Sequence, residues 1–211
     1  MDLNRKDLKK VALSGRANVG KNTAANLLAE HLCSGKDEPY DMLAFADPIK
    51  RMVEELFPWA EKKCLYGPSK LRNNIIPRAI NKQGAPLTYR QALIDIGTLG
   101  RSYKSDIWID NMDNRIKNLS EDRSIILQDF SGCGYRPIKA LVITDLRFVN
   151  EMEYLKSKGF FIIRLLRDTD QVINHGTETE QEKIRDDEFD LVIDNNSTLE
   201  NLTKQIDQIR L

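Results

Sequence analysis

The stretch Gly15-Arg-Ala-Asn-Val-Gly-Lys21 carries the strongest structural signal in this chain. The apolar run Val11-Ala-Leu-Ser14 leads into it, and residues 22–32 follow it with alanines and leucines at helical spacing. Glycines in the pattern Gly-x-x-x-x-Gly-Lys let the backbone curl, so that successive N–H groups point at phosphate oxygens. The helix behind them presents its positive end to the same charge. The stretch therefore predicts a P-loop that binds a nucleoside triphosphate.

Six residues of this loop and helix start are predicted to bind the nucleotide: Gly15, Asn18, Gly20, Lys21, Asn22 and Thr23. The Lys21 ammonium can follow the β- and γ-phosphates during transfer. The residue after this lysine is usually Ser or Thr, whose hydroxyl binds Mg²⁺, but here it is Asn22. An amide oxygen can bind the metal or one of its waters, and Thr23 can take its place, so the ligand stays open between them.

Composition excludes several other classes of protein. At 211 residues, 41% apolar and 30% charged, the chain fits one ordinary domain with a sizeable core. Lys plus Arg equal Asp plus Glu at 32 each, so no net charge attracts it to nucleic acid or an anionic membrane. No apolar run is long enough to span a bilayer, and the three cysteines lie far apart. We therefore expect a soluble cytoplasmic protein that binds neither nucleic acid nor membrane.

The remaining elements alternate along the chain. Strands are predicted at 41–46, 124–127, 139–144, 160–166 and 190–193, and helices behind Pro48, at 89–98, 105–119 and 151–157, and from Leu199. The stretch from Pro58 to about Thr88 is predicted to be loop, because prolines and charged residues dominate it. Buried strands that alternate with helices predict a single α/β domain with a parallel sheet and helices on both of its faces.

A small GTPase is the first alternative, because its opening motif is similar to this P-loop. Such a protein needs a later Asp-x-x-Gly and then Asn-Lys-x-Asp to read guanine. Asp129-Phe-Ser-Gly132 satisfies the first requirement, but Asn81-Lys82 precedes it, and Gly84 stands where the final Asp is required. The order is wrong and the base-reading motif is missing, so a GTPase is disfavoured.

An ordered set of segments resembles the phage-type deoxynucleoside monophosphate kinases. The segments are Phe45-Ala-Asp-Pro-Ile-Lys50, Gly97-Thr-Leu-Gly-Arg-Ser102 with Asp106-Ile-Trp108, Val142-Ile-Thr-Asp-Leu-Arg-Phe-Val-Asn-Glu151, His175-Gly-Thr-Glu178 and Phe189-Asp-Leu-Val-Ile-Asp194. The resemblance runs in order from residue 10 to the C-terminus, whereas residues 116–138 match no family motif. A phage origin would place the protein in the cytoplasm of its bacterial host.

The resemblance implies the three-layer nucleoside monophosphate kinase fold with a five-stranded parallel sheet. It also implies an acceptor-binding insertion at about 58–118 and a lid at about 167–185. The implied reaction transfers the γ-phosphate of ATP to a deoxynucleoside monophosphate with Mg²⁺, giving ADP and the diphosphate.

Asp145 is the candidate metal carboxylate, because it stands at the end of a strand in the Walker B position. The alternative for Asp145 is a turn or helix-capping role. Arg147 stands two residues further on, where it can reach phosphate, and Glu151 ends the same segment. We place Arg147 and Glu151 with the substrate, and Asn22 and Asp145 with the metal.

The remaining acceptor-side candidates are Asp47, Arg51, Arg90, Arg101 and Trp108. Asp47 can bind the acceptor or merely cap the next helix, and Arg51 can pair with a phosphate or lie in solvent. The Arg101 guanidinium suits bidentate phosphate binding, and Arg90 can face the same phosphate. Trp108 can stack on a base, although an aromatic residue at helical spacing is more often part of a core.

The predicted lid contributes the last candidates. Arg164 and Arg167 border it, and their charge would screen the group in transfer, although one of them can be a surface residue. His175 is expected to contact the lid or nucleotide rather than act as a base, because transfer to a phosphate needs no strong base. We assign catalysis to Lys21, Asp47, Arg101, Asp145 and Arg167.

Two further hypotheses remain beside the deoxynucleoside monophosphate kinase. One is another P-loop kinase that phosphorylates a small metabolite. The other is a nucleotide-regulated binding protein with slow ATPase activity, although such a switch has no need of acceptor-side motifs. The sequence leaves base preference and a homodimer open.

Overall fold

The computed structural model describes residues 8–33, 38–121, 138–168, 180–181 and 183–211. These residues form two compact units. The first unit contains the described residues up to Ala44 and from Met112 onward, and the second contains Phe45–Asn111. The predicted strand at 124–127, Cys133 and His175 lie outside the described residues, as does most of the predicted lid.

Five parallel strands form the sheet of the first unit, in the order β2-β5-β1-β6-β7. They are β1 (Lys9–Ser14), β2 (Tyr40–Leu43), β5 (Ala140–Leu146), β6 (Phe161–Leu166) and β7 (Leu191–Asp194). The P-loop strand β1 is central, between β5 and β6. The carboxyl ends of parallel strands meet at one edge of a sheet, and ligands bind at that edge in open α/β folds. The prediction of an α/β fold with a five-stranded parallel sheet is confirmed.

The central strand β1 is buried on both of its faces. Val11 and Leu13 pack with Ala25 and Leu28 of the first helix in one apolar cluster. Ala12 alternates with Val11 and Leu13 along β1, so it points to the opposite face, and it is also fully buried. Burial on both faces explains the uninterrupted apolar run Val11-Ala-Leu13 of this strand, as expected for the centre of a covered parallel sheet.

Seven α-helices lie within the described part of the chain: α1 (Lys21–Leu32), α2 (Asp47–Leu56), α3 (Lys62–Tyr66), α4 (Tyr89–Tyr103), α5 (Ile107–Glu121), α6 (Val149–Ser157) and α7 (Leu199–Asp207). None of them combines the length and the apolar composition that a membrane-spanning helix needs. The helix predicted after the P-loop is confirmed, and its buried residues are the alanines and leucines Ala24, Ala25, Leu28, Ala29 and Leu32.

The prediction of a loop from Pro58 to Thr88 is wrong. The second unit contains α3, a 3₁₀ turn at Ser69–Asn73 and an antiparallel hairpin of β3 (Ile75–Ile80) and β4 (Pro86–Thr88). The hairpin buries only Ile76 and Ala79 of β3, so its apolar pattern is too sparse to signal a strand. The Asn81 Oδ1 atom accepts hydrogen bonds from two backbone N–H groups of the hairpin turn.

Two smaller predictions also need correction. The strand predicted at 41–46 ends at Leu43, so residues 44–46 are not part of the sheet. The helix behind Pro48 has the predicted apolar spacing and buries Ile49 and Val53, but Met52 and Leu56 are 44% and 60% exposed. Both exposed side chains border a cavity of the second unit.

Candidate active site

The P-loop joins β1 to α1 with three residues at positive φ. Gly15 has φ 147°, Asn18 has φ 65° and Gly20 has φ 92°. A Cβ atom on Gly15 would lie 2.6 Å from the Leu165 carbonyl oxygen, so only glycine fits against β6. These conformations curl the loop at the carboxyl end of the central strand, where α1 begins directly behind it.

Lys21 is folded back over its own loop. Its Nζ atom donates to the Arg16 carbonyl oxygen at 2.6 Å and also to the Gly15 carbonyl oxygen. Asn22 and Thr23, the two candidate metal ligands of α1, are exposed beside it. The ammonium is therefore held at the mouth of the loop by neutral carbonyl groups, which a phosphate can replace as the stronger partner.

Asn195, which was not predicted from the sequence, lies outside the P-loop and is hydrogen-bonded to its backbone. It follows β7 directly, is 7% exposed, and its Nδ2 atom donates to the Val19 carbonyl oxygen at 2.8 Å. Its backbone N–H donates to the Leu166 carbonyl oxygen at 2.8 Å. A Cβ atom on Gly20 would lie 2.6 Å from the same Nδ2 atom, so glycine at this position leaves room for the Asn195 amide.

Asp145 lies within β5, next to the P-loop strand, and one residue before Leu146, which pairs with Ser14. The sequence placed it just after a strand, but β5 continues to Leu146, so Asp145 does not lie in a turn, and the N-cap residue of α6 is Phe148. Its position beside the strand that leads into the P-loop is the placement that a metal carboxylate requires. The metal role itself stays a prediction.

Glu151 is buried at the start of α6, with 5% exposure. Its Oε2 atom accepts hydrogen bonds from the backbone N–H groups of Arg147 at 2.9 Å and Phe148 at 3.1 Å. Burial, and to a lesser degree the negative charge of Asp145, raise the pKa of Glu151 to about 8. Glu151 therefore holds the turn between β5 and α6, while its predicted contact with substrate stays a prediction.

Buried polar groups gather at this edge of the sheet. The buried polar or charged residues of the described chain are Ser14, Glu151, Gln181 and Asn195. Ser14 ends β1, and its hydroxyl bonds with Gln181. Neither Gln181 nor Asn195 belongs to a motif, and only the strand order brings them to the P-loop. Sequence periodicity offers no signal for either residue.

The two arginines beside the predicted lid differ in their surroundings. Arg164 of β6 donates to the Ile184 carbonyl oxygen at 2.7 Å, pairs with Asp186 at 2.8 Å, and stacks on Phe189. Arg167 is exposed just after β6. Arg164 is thus engaged by the segment 184–189, and the predicted phosphate contact of Arg167 stays a prediction.

The second unit contains an open cavity of about 640 Å³ that is lined by residues of α2, α4 and α5. Two predicted acceptor residues, Arg51 and Trp108, line it together with apolar side chains such as Ile96 and Leu99. Trp108 is 7% exposed, and its Nε1 atom donates to the Gly97 carbonyl oxygen at 3.0 Å. Trp108 is therefore a fixed wall of the cavity as well as a core residue.

The other three acceptor candidates of this unit do not line the cavity. Asp47 is the first residue of α2, directly after the N-cap residue Ala46, and its Oδ1 atom accepts a hydrogen bond from Lys50 at 3.2 Å, so both of its predicted roles stay predictions. Arg90 bonds to Asn73 at 2.7 Å. Arg101 lies in the last turn of α4. The cavity lining thus contains Arg51 and Trp108 but not these three residues.

Comparisons with known proteins agree with the sequence motifs. The family model of deoxynucleotide monophosphate kinases matches residues 72–206. A protein of Acanthamoeba polyphaga mimivirus that is assigned as a deoxynucleotide monophosphate kinase is 29% identical over 205 residues, covering 93% of this chain and 93% of that protein. The family match extends over more than half of the chain. The chain therefore belongs to the deoxynucleotide monophosphate kinase family and is a phosphotransferase, as the sequence predicted.

Proposed function

We propose that this kinase transfers the γ-phosphate of ATP to a deoxynucleoside monophosphate and releases ADP and the diphosphate. The observation that carries the proposal is the curled P-loop between β1 and α1, with the Lys21 ammonium at its mouth and Asp145 on the neighbouring strand. Family membership supports a nucleotide monophosphate as the acceptor.

The donor site follows from the loop geometry. The positive φ of Gly15, Asn18 and Gly20 curls the backbone at the start of α1, so N–H groups of the loop can bind phosphate oxygens. Lys21 gives up its bonds to the Gly15 and Arg16 carbonyl oxygens when a phosphate binds. Because the ammonium can move with the γ-phosphate, it neutralises charge both before and after transfer.

The residues at the loop fit magnesium. Mg²⁺ prefers oxygen ligands and is usually bound by one or two carboxylates together with substrate phosphates. Asp145 supplies a carboxylate, and Asn22 or Thr23 can supply a neutral oxygen. The bound ion would neutralise phosphate charge during transfer.

The cavity of the second unit suits the nucleoside of the acceptor. Its volume of about 640 Å³ lies in the usual range for small-molecule pockets, and most of its lining is apolar or aromatic. Trp108 offers a fixed aromatic surface, and the exposed Arg51 offers a positive charge for a phosphate. We propose that this unit is the acceptor-binding part of the enzyme and that residues 167–185 form the lid.

The test is ADP formation from Mg-ATP with dAMP, dGMP, dCMP, dTMP and modified pyrimidine monophosphates offered separately. We expect turnover that depends on the acceptor and yields the matching diphosphate. If no monophosphate stimulates ADP release above the rate with ATP alone, the proposed acceptor is wrong.

A second experiment tests the cavity. Arg51→Met keeps much of the side-chain volume and removes the charge, so the KM for the acceptor should rise about tenfold or more while the KM for ATP stays unchanged, because a charge-assisted hydrogen bond contributes about 1.5–3 kcal/mol. Arg78→Met in the hairpin is the matched control in the same unit. An equal effect of both variants would contradict the assignment of the cavity.

A further inference from the structure

The strands β1 and β5 leave regular register just before their carboxyl ends. Ala12 pairs with Ile143, but Ser14 pairs with Leu146, so two steps along β1 correspond to three along β5. On its other side β1 keeps regular register with β6 through Ser14 and Arg164. The irregularity therefore belongs to β5 and lies at Thr144-Asp145. Such bulges change the direction of a side chain and are common beside active sites.

Three buried hydrogen bonds fasten β5 immediately after this bulge. The Ser14 hydroxyl donates to the Leu146 carbonyl oxygen at 3.1 Å. The Gln181 Nε2 atom donates to the Ser14 Oγ atom at 2.8 Å and to the Leu146 carbonyl oxygen at 3.3 Å. Ser14 is fully buried and Gln181 is 3% exposed, so water cannot replace these bonds readily.

We infer that Ser14 and Gln181 are positioning residues that fix the bulge of β5 and thereby the direction of the Asp145 carboxylate. The inference rests on the proposed function, in which Asp145 binds the magnesium ion of the nucleotide. A bulge leaves a strand locally short of ladder bonds, and the two side chains restore the anchorage at Leu146. Gln181, which lies within the range predicted for the lid, thus connects this part of the chain to the strand of the metal carboxylate.

Burial of these groups indicates a positioning role rather than packing alone. A glutamine amide and a serine hydroxyl lose their hydration when they are buried, and an apolar pair of similar volume would fill the same space without that cost. Their bonds have direction, which apolar contacts lack. Groups that orient a metal ligand typically change metal affinity about 10- to 100-fold when they are removed.

The test measures metal binding rather than turnover. Mn²⁺ binding to the complex of the full chain with ADP is followed by electron paramagnetic resonance of the free ion, and ADP binding in EDTA by calorimetry. We expect Gln181→Met, which keeps volume but removes both donors, to weaken Mn²⁺ binding about tenfold. The Kd for ADP in EDTA should change less than about twofold, since the P-loop is untouched. Ser14→Ala should act in the same direction, which provides a second variant if Gln181→Met does not fold.

Two controls separate the possible failures. Ile206→Val removes one methyl group from the core of the same unit, so it lowers stability with no effect on Mn²⁺ binding. Asp145→Asn tests the proposed function itself. If Asp145→Asn weakens Mn²⁺ binding but Gln181→Met and Ser14→Ala only lower the melting temperature, the positioning inference is wrong. If Asp145→Asn has no effect on Mn²⁺ binding, the proposed metal role fails, and the inference fails with it.

Discussion

The contact between Gly20 and Asn195 leads to a quantitative prediction. Gly20→Ala places a methyl group at φ 92°, and the new Cβ atom would lie 2.6 Å from the Asn195 Nδ2 atom. The left-handed conformation costs about 1–2 kcal/mol for a non-glycine residue. Displacement of the amide also breaks the bond to the Val19 carbonyl oxygen, which contributes about 1 kcal/mol. We expect Gly20→Ala to lower the free energy of unfolding by about 2–3 kcal/mol in total.

A double-mutant cycle isolates the contact. Asn195→Ala already loses the hydrogen bond, so adding Gly20→Ala should cost only the conformational strain. The two substitutions should therefore be less than additive by about 1 kcal/mol, measured by urea unfolding of the four proteins. Gly159→Ala is the matched control, because Gly159 has φ 72° and its added Cβ atom would meet only the flexible end of Lys10 at 3.4 Å.

Additivity of Gly20→Ala with Asn195→Ala within about 0.5 kcal/mol would refute the reasoning. The same coupling in the Gly159 control would refute it as well, because the effect would then arise from general loss of stability. A coupling confined to Gly20 would identify Asn195 as the residue that holds the P-loop at its helix end.

Three further predictions concern other parts of the chain. Lys21→Ala should lower kcat about 100-fold or more with an unchanged melting temperature, because it removes a phosphate contact and no core volume; near-normal turnover of the folded variant would contradict the P-loop mechanism. Gly100→Ala places a Cβ atom 2.3 Å from the Trp108 ring, so it should cost about 1–3 kcal/mol and raise the KM of the acceptor, whereas Gly97→Ala meets only the flexible ends of Ile49 at 3.3 Å and Arg101 at 3.5 Å and should cost less stability. Hydrogen bonds from Lys117, Lys158 and Tyr154 lower the pKa of Asp113 to about 2, so its charge contributes stability above pH ~4 that is lost as the pH falls toward ~2. Asp113→Asn should cost about 1–2 kcal/mol at pH 7 and remove this acid-sensitive component from the urea unfolding curves, and an unchanged pH profile would count against the network.

The parts of the fold that the sequence predicted correctly are those with local signals. The P-loop needs glycine at fixed spacing, and α1 shows apolar periodicity over its whole length, so neither depends on distant contacts. The hairpin of β3 and β4 was missed because it buries only Ile76 and Ala79 of β3, which gives too sparse a pattern. Prolines and charges in the same stretch suggested a loop instead.

The site residues that could be predicted are likewise those with a local sequence signal. Asp145 follows an apolar run, so its place at the carboxyl end of a strand could be predicted. Asn195 and Gln181 are separated from the P-loop by 176 and 167 residues along the chain, as their bonds to Val19 and Ser14 show. Only the strand order, with β1 between β5 and β6, brings such distant residues to one edge.

The buried polar residues of the first unit share one property that explains their place. Glu151 accepts from two backbone N–H groups, and Gln181 and Asn195 each donate to a backbone carbonyl group, at the start of α6, the end of β5 and the P-loop respectively. Each one fixes a piece of main chain that carries or adjoins a predicted catalytic, substrate-binding or metal-binding residue. An apolar residue could fill the same space at less cost in desolvation, but it would not fix the direction of the backbone. The buried polar groups therefore lie where the backbone must be held in a fixed direction, at the carboxyl edge of the sheet. Apolar substitutions of these groups should impair ligand binding more than stability.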